Sequence, residues 1–486
     1  MIVWGISANS HDAALSVFVD DELVFASHSE RFSGIKNDRD LCTSLVEYAE
    51  RWGKPEKIFW YENPYLKTAR QLLAGQGWNW KKNNIKKYLQ RWGISAPITY
   101  TNHHKSHAAA GFYTSKFDES CIIVIDSIGE FETLTIWDAN ISKFKKLYSL
   151  TYPSSIGLWY SAMTQRLGLK PNEDEYILMG MSAYGDKTLF VDKLKSDFFK
   201  DIKKLSFSKS LHRGCMDWEP TIPVSQYFDV AAGVQNIYEE LLQTILSKAS
   251  SLSQSKNLIL MGGCALNCLA NRHIGKYFNN IWIMPNPGDA GSSIGAVLAH
   301  TKRKIDWEHS YLGYDMGNTT DNQQIVDYLL THKICGLARG KAEFGPRALG
   351  NRSIIADPRG KEIKDKVNEI KQRQEFRPFA PAILEEYADQ YFDMPLYWNN
   401  SRYMQTVATC RYPDEYPAIV HRDGTSRVQT VPNDGSEFRR LLELWFNQTG
   451  CPMLLNTSLN IKGNPMVNNH ADAIQFENLY NVKVFT

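Results

Sequence analysis

The sequence predicts an α/β fold whose N-terminal part consists of two similar halves, followed by a separate C-terminal α/β domain. Three observations carry this. One design occurs twice: an apolar strand runs into a polar turn and a β-hairpin follows. Two later apolar strands end in glycine-containing turns, and a helix starts after the second. Composition then changes over residues 306–325, where Asn, Asp and Gly dominate.

The elements follow in order. Ile2 to Ser7 is an apolar run closed by the polar turn Ala8-Asn9-Ser10-His11-Asp12. Ala13 to Val19 resumes the β pattern, Asp20-Asp21 turns, and Leu23 to Ser27 closes the hairpin. Later, Cys121 to Ile125 runs into Asp126-Ser127-Ile128-Gly129-Glu130, Thr133 to Trp137 is a strand, Asp138-Ala139-Asn140 turns, and Phe144 to Leu150 follows. Two α/β halves facing a cleft are the pattern of the actin, sugar-kinase and Hsp70-like ATPases. Asn257 to Met261 ends in Gly262-Gly263, and Ile281 to Met284 ends in Pro285-Asn286-Pro287-Gly288-Asp289 ahead of a helix from Ala290 to His300. Such strand ends are natural places for a phosphate or nucleotide.

With 486 residues, 43% hydrophobic and 22% charged, the chain suits two or three globular domains, and its net charge of +2 selects no partner. Eight scattered cysteines read as free thiols of a reducing compartment. Cys264 and Cys268 lack the companions of a zinc site. The N-terminus has no leader pattern and no run is long enough to span a membrane, so a cytoplasmic enzyme is expected.

The sharpest motif is Asn102-His103-His104-Lys105-Ser106-His107-Ala108-Ala109-Ala110. The alanines favour a helix, which puts His103 and His107 on one face, one turn apart. Two imidazoles so placed are a common metal chelate, although a pair of core histidines would look the same. Asp126 and Asp289 end strands in the two halves and could add oxygen ligands; iron, zinc and manganese all suit the set. His11 lies on the first turn, where it could take a proton, and Lys36 could balance negative charge. In the C-terminal part, Arg347 and Arg352 stand in Gly345-Pro346-Arg347-Ala348-Leu349-Gly350-Asn351-Arg352-Ser353. Arg373 and Arg377-Pro378-Phe379-Ala380-Pro381 follow. Arginines fixed by Gly and Pro turns suit bidentate anion binding, and Asn456 and Ser458 add short polar groups.

Residues 63–117 contain no Asp or Glu. They include Lys81, Lys82, Lys86, Lys87 and Arg91 interleaved with Trp78, Trp80, Tyr88 and Trp92. Such a stretch fits a nucleic-acid or phosphorylated partner, or an amphipathic helix with a buried Trp face.

Taken together, the chain resembles the NodU/CmcH family of O-carbamoyltransferases. The resemblance rests on Ser10 to Ala14, Glu30-Arg31, His103 to Ala109, Asp126 to Glu130 and Met179-Gly180 with Ala183-Tyr184-Gly185. It continues through Gly262 to Asn267, Gly288 to Gly291, Gly345 to Ser353, Arg377 to Pro381 and Leu455 to Asn460. It implies an actin-like (ASKHA) domain over residues 1–315 and a YrdC-like α/β domain over 316–486. The second domain would make carbamoyl adenylate from carbamoyl phosphate and ATP, with Mg2+. The first would pass the carbamoyl group to a hydroxyl, and the molecule could be a homodimer. By this resemblance His103, His107, Asp126 and Asp289 hold Fe2+, with Zn2+ or Mn2+ as alternatives. His11 is the base and Lys36 contacts the adenylate. Ser127, Gly129, Glu130, Gly157, Gly262, Gly263 and Asn267 cradle the adenylate. Arg347, Arg352, Arg377, Asn456 and Ser458 bind carbamoyl phosphate and ATP. The family carries Gly-Lys where this chain has Tyr176-Ile177, which implies a different acceptor pocket around Glu175.

The acid-free stretch disfavours a cationic acceptor. It points to a hydroxymethylated pyrimidine such as 5-hydroxymethylcytosine, in DNA or as nucleotide, with Trp80, Lys81, Lys82, Lys86, Lys87 and Arg91 as contacts. The alternatives are a small natural product or sugar hydroxyl and, as a different class, an actin-like kinase or ATPase, which leaves the arginine cluster unexplained.

Overall fold

A computed structural model describes residues 1–398 and 400–486. It divides into two units, Met1–Ser33 with Asn37–Glu308, and Gly34–Lys36 with His309–Thr486.

The first unit holds two five-stranded sheets. In the first, β1 (Ile2–Ser7), β2 (Ala14–Val19), β3 (Glu22–His28), β4 (Lys57–Trp60) and β5 (Ile98–Tyr100) take the order β3-β2-β1-β4-β5. In the second, β6 (Glu119–Ile125), β7 (Glu132–Asn140), β8 (Lys143–Thr151), β9 (Asn257–Met261) and β10 (Asn280–Trp282) take the order β8-β7-β6-β9-β10. Both sheets open with an antiparallel meander and continue with two parallel strands, so the duplicated design extends to strand direction. The first hairpin turns on Asp20 and Asp21, whose φ of 48° and 71° match the twist of the flanking strands. The second turns later than its sequence suggests. β7 runs on to Asn140, whose side-chain oxygen then accepts the amides of Ser142 and Lys143 at 3.0 and 2.9 Å.

Seven helices matter to the site: α1 (Pro64–Leu73), α2 (Ile85–Gln90), α3 (His103–Thr114), α4 (Ile156–Arg166), α5 (Glu175–Met181), α6 (Tyr227–Leu252) and α7 (Ser292–Thr301). Asn63 caps α1 by accepting from Tyr65 and Leu66, and Pro64 occupies the first position, where it costs no hydrogen bond. Helix α3 packs on the second sheet and α7 on the first, and the two cross each other. Gly295 permits that crossing, because a Cβ there would stand 1.8 Å from the Ser106 carbonyl oxygen.

The second unit holds a six-stranded sheet of β11 (Ile334–Ala338), β12 (Arg352–Ala356), β13 (Ala380–Leu384), β14 (Gln429–Val431), β15 (Met453–Ser458) and β16 (Val484–Phe485), in the order β14-β13-β15-β12-β11-β16. Alternate residues feed opposite faces. Ile354 joins a core with Ile363 and Phe476, whereas Ile355 joins one with Leu329 and Trp445. Among the described residues no helix is long and apolar enough to cross a membrane.

Candidate metal centre

Four side chains converge where the strands of the second sheet end. His103 and His107 stand one turn apart on α3, Asp126 follows β6, and Asp289 follows the proline-rich loop after β10. Each offers one ligand atom, and these atoms lie within 4.8 Å of one another. His103 Nε2 is 2.9 Å from Asp126 Oδ2, 3.1 Å from His107 Nε2 and 3.4 Å from Asp289 Oδ1. His107 Nε2 is 3.4 Å from each carboxylate. Donors held about 2.0–2.2 Å from one shared ion sit about 3 to 3.5 Å apart, so the spacing fits a single cation. Both histidines are buried, and the carboxylates are 12% and 16% exposed.

Tautomers fit as well. His107 Nδ1 lies 3.1 Å from the Pro287 carbonyl oxygen, which fixes its proton there and leaves Nε2 as a lone pair. Two imidazole Nε2 atoms facing each other need something positive between them. Burial opposes charge on His103, yet Asp289 and Asp126 raise its pKa well above the usual histidine range. Burial likewise opposes the Asp289 carboxylate, but His103 holds it down to about 2. The carboxylates therefore draw positive charge into the centre, which a divalent ion would also supply. The donor set of two imidazoles and two carboxylates suits iron, zinc or manganese.

The surroundings are built by close backbone approach. A Cβ on Gly157 would meet the Ser127 backbone at 2.7 Å, and one on Gly129 would meet the His103 ring at 3.0 Å. Gly262, at φ 89°, donates to the Pro287 carbonyl oxygen and leaves no room for a Cβ beside Ile125. Gly263 is exposed, and a Cβ there would lie 3.5 Å from Asp126 Oδ1. Asn267 is locked in a reciprocal amide pair with Gln235, at 2.9 and 3.1 Å. Ser127 donates its amide to Asp126 Oδ1. Glu130 accepts the amide of His103 in both oxygens at 3.1 Å and that of Asn63 at 2.6 Å. Its carboxylate thus caps α3, whose Asn102 makes no side-chain cap. His104 turns away, its Nδ1 2.9 Å from Thr135 Oγ1.

His11 stands on the first turn with Nδ1 3.1 Å from Asp12 Oδ2 and its side chain 39% exposed. Its Nε2 has no hydrogen-bond partner among the described residues. Burial opposes its charge, but Asp12 outweighs it, with Asp289 and Glu173 adding, and the pKa rises to about 9. Glu175 is half-buried, accepting from Ser161 Oγ and the Asn172 amide at 2.6 Å each, and burial raises its pKa. Lys36 is exposed and groups with the second unit. Lys81, Lys82, Lys86, Lys87 and Arg91 are exposed and Trp80 is 37% exposed, whereas Tyr88 is buried.

In the second unit, Arg347 and Arg377 are half-buried. Arg352 corrects its sequence reading. It is buried, and its terminal nitrogens donate to the carbonyls of Arg339, Asn351, Tyr314, Gly340 and Asn468 at 2.8–3.2 Å. A guanidinium so engaged holds the loop together. Glu343 does the same from within, its Oε1 accepting from Leu349, Asn351 and Arg352. Asn456 donates to Ala348 and Gln429, and its own side-chain oxygen has no partner among the described residues.

Sequence reasoning missed Lys371. It is buried, and its ammonium donates to the carbonyl oxygens of Ser458 and Asn460 and to their side-chain oxygens. Burial pulls its pKa well below the lysine range, and Arg373 and Arg377 lower it further. The Lys-x-Arg spacing at the end of an amphipathic helix was the available signal. Tyr61 was also missed: it is fully buried, and its ring lies 5.3 Å from that of His103.

Residues 2–298 match the carbamoyltransferase N-terminus family and residues 326–486 the carbamoyltransferase C-terminus family. An uncharacterized protein of Synechocystis sp. is 31% identical, over 97% of this chain and 93% of its own. Nodulation protein NolNO of Sinorhizobium fredii is 29% identical, over 96% of this chain and 76% of its own. The 3'-hydroxymethylcephem-O-carbamoyltransferase of Amycolatopsis lactamdurans is 24% identical, over 96% of this chain and 94% of its own. The chain belongs to the carbamoyltransferase family and is an enzyme that transfers a carbamoyl group to a hydroxyl.

Proposed function

We propose that this carbamoyltransferase makes carbamoyl adenylate in its second unit and delivers the carbamoyl group at the His103/His107/Asp126/Asp289 centre to the hydroxymethyl group of a modified pyrimidine. The observation that carries this is the converged four-residue centre in a chain of this family. The duplicated sheets support an actin-like reading of the first unit, and the mixed six-stranded sheet supports a YrdC-like reading of the second.

In this reading carbamoyl phosphate and ATP bind among Arg347, Arg377, Lys371, Asn456 and Ser458. The half-buried guanidiniums of Arg373 and Arg377, close enough to lower the pKa of buried Lys371, support anion binding. Arg352 and Glu343 hold the loop that presents Arg347. Water is consumed, phosphate and pyrophosphate leave, and the carbamoyl group ends on AMP. Lys36 contacts the adenylate. In the first unit the Gly157, Gly129 and Gly262-Gly263 backbones cradle it, with Ser127 and Asn267 placing the edges of the cradle and Glu130 fixing the helix above. A divalent ion bound at the centre would polarise the carbamoyl carbonyl and steady the departing phosphate oxygen. His11 takes the acceptor proton on Nε2 as the hydroxyl oxygen bonds to the carbonyl carbon and AMP leaves. Asp12 holds the opposite nitrogen of that ring.

The acceptor reading rests on the acid-free basic surface. Incubation with carbamoyl phosphate, ATP and hydroxymethylcytosine DNA or nucleotide tests it by mass spectrometry. The expected result is a gain of one carbamoyl in place of one hydrogen. Transfer only to a neutral sugar or natural-product hydroxyl would sink it.

A further inference from the structure

The surface between Asn63 and Tyr100 is built unlike a solvated helix face. Such a face buries its aromatics and shows its polar groups to water. Here Trp78 is 68% exposed and Tyr65 57%, and Leu72 and Leu73 of the same segment are exposed as well. Tyr65 links two further rings, Trp80 at a centroid distance of 5.2 Å and Tyr100 at 6.1 Å. Tyr100 in turn lines a hollow of about 300 Å³ together with Lys86, Gln90 and Ser95. The lysines and arginines of this segment, Lys86 beside Tyr100 among them, have no Asp or Glu between residues 63 and 117 for a sequence neighbour.

This surface is tied to the first turn. Asn9, held at φ 63°, donates its side-chain amide to the Lys82 carbonyl oxygen at 2.9 Å. Lys67, buried on α1, donates to the Asn9 carbonyl oxygen at 3.1 Å and pairs with Glu62. The turn that carries His11 and the loop that carries Lys82 are thus one hydrogen-bonded structure.

We propose that Tyr65, Trp80 and Tyr100, with Trp78 and the hollow beside Lys86, form a track for single-stranded nucleic acid that leads to the His11 turn. It rests on the acceptor reading above and narrows it: the acceptor is a polynucleotide with unpaired bases. Rows of exposed rings in a positive groove bind single strands, because each base has a face to stack and each phosphate a charge to meet. Duplex DNA keeps its bases stacked on one another and offers these rings nothing. An acidic protein would satisfy the lysines but leave the rings without a partner.

Binding of a fluorescent oligodeoxythymidine to the full-length protein tests this without any donor substrate. The expected result is tighter binding of the single strand than of a duplex of equal length. Tyr65→Ala or Trp80→Ala should each weaken it about five- to a hundredfold, with Trp80→Phe restoring most of it. Lys86→Ala with Lys87→Ala should lower the slope of log affinity against log salt by about 1. Unchanged affinity in both aromatic variants, equal binding of duplex, or full competition by polyglutamate would overturn the track. Wild-type turnover of hydroxymethylcytidine monophosphate separates the two proposals. Turnover without oligonucleotide binding overturns the track alone, whereas oligonucleotide binding with no carbamoyl on any pyrimidine overturns the acceptor reading, and with it the delivery role of the track, while the binding surface itself stands.

Discussion

The turn after β1 and the turn after β6 close the same strand in two copies of one sheet, yet they hold different chemistry. The first carries His11, whose side chain is 39% exposed and whose Nε2 is buried without a partner among the described residues. The second carries Asp126, buried against two histidines. What differs is the cover. Helix α3 and the loop ending at Asp289 close over the second turn. The first is held by Asn9 donating to Arg39 and Lys82, Ala13 donating to Asp38, and Lys67 donating to Asn9. A duplicated scaffold thus yields one turn whose carboxylate is enclosed by two histidines and one turn whose histidine side chain is partly exposed.

Breaking the sealed turn should cost most. His107→Ala or Asp126→Ala removes a ligand from a buried set, and the expected outcome is loss of the bound metal by elemental analysis. The rate should fall on the order of a thousandfold, the several kcal/mol an ion lends a transferring carbonyl. Breaking the open turn should cost less and leave the metal in place. His11→Asn should lower the transfer rate about a hundredfold, as expected for a lost general base, with metal content unchanged. Metal loss in that variant would show that the two turns do not work separately.

The packing between the halves gives a smaller effect. Gly295→Ala drives a Cβ to 1.8 Å from the Ser106 carbonyl oxygen, so α3 or α7 must shift. A loss of about 1–3 kcal/mol in chemical denaturation is expected. Metal affinity should fall with it, because Ser106 sits between His103 and His107.

The smallest effect is in pH. His11 has its pKa raised from 6.5 to about 9, so pairing with Asp12 stabilises the fold fully below pH 6.5, and that contribution fades as pH rises through about 9. The base must be neutral to act, so the rate should climb with pH toward the same value. In Asp12→Asn the inflection should fall toward 6.5, which a pH–rate profile reads directly.

Much of this was legible in the sequence because it follows from periodicity. The alternation from Ile2 to Ser27 fixed a hairpin, and four-residue spacing on an alanine-rich helix put His103 and His107 on one face. Asp126 and Asp289 were legible as strand ends, although only the fold brings them within reach. The buried charges were not legible. Whether Arg352 meets an anion or five carbonyls, and whether Glu130 meets a ligand or the start of α3, depends on which backbone encloses the group. Lys371 was not legible either, because only the fold over it, which brings in Ser458 and Asn460, buries its amine.

The central claim is that the four-residue centre is where the carbamoyl group is transferred. Protein stripped with a chelator and reloaded with one equivalent of Fe2+, Zn2+ or Mn2+ tests it, with carbamoyl transfer from carbamoyl phosphate and ATP as the readout. The account predicts that stripping abolishes transfer and that one of these ions restores it in the wild type but not in His107→Ala. Full transfer by the stripped wild type, or equal restoration in His107→Ala, would contradict it.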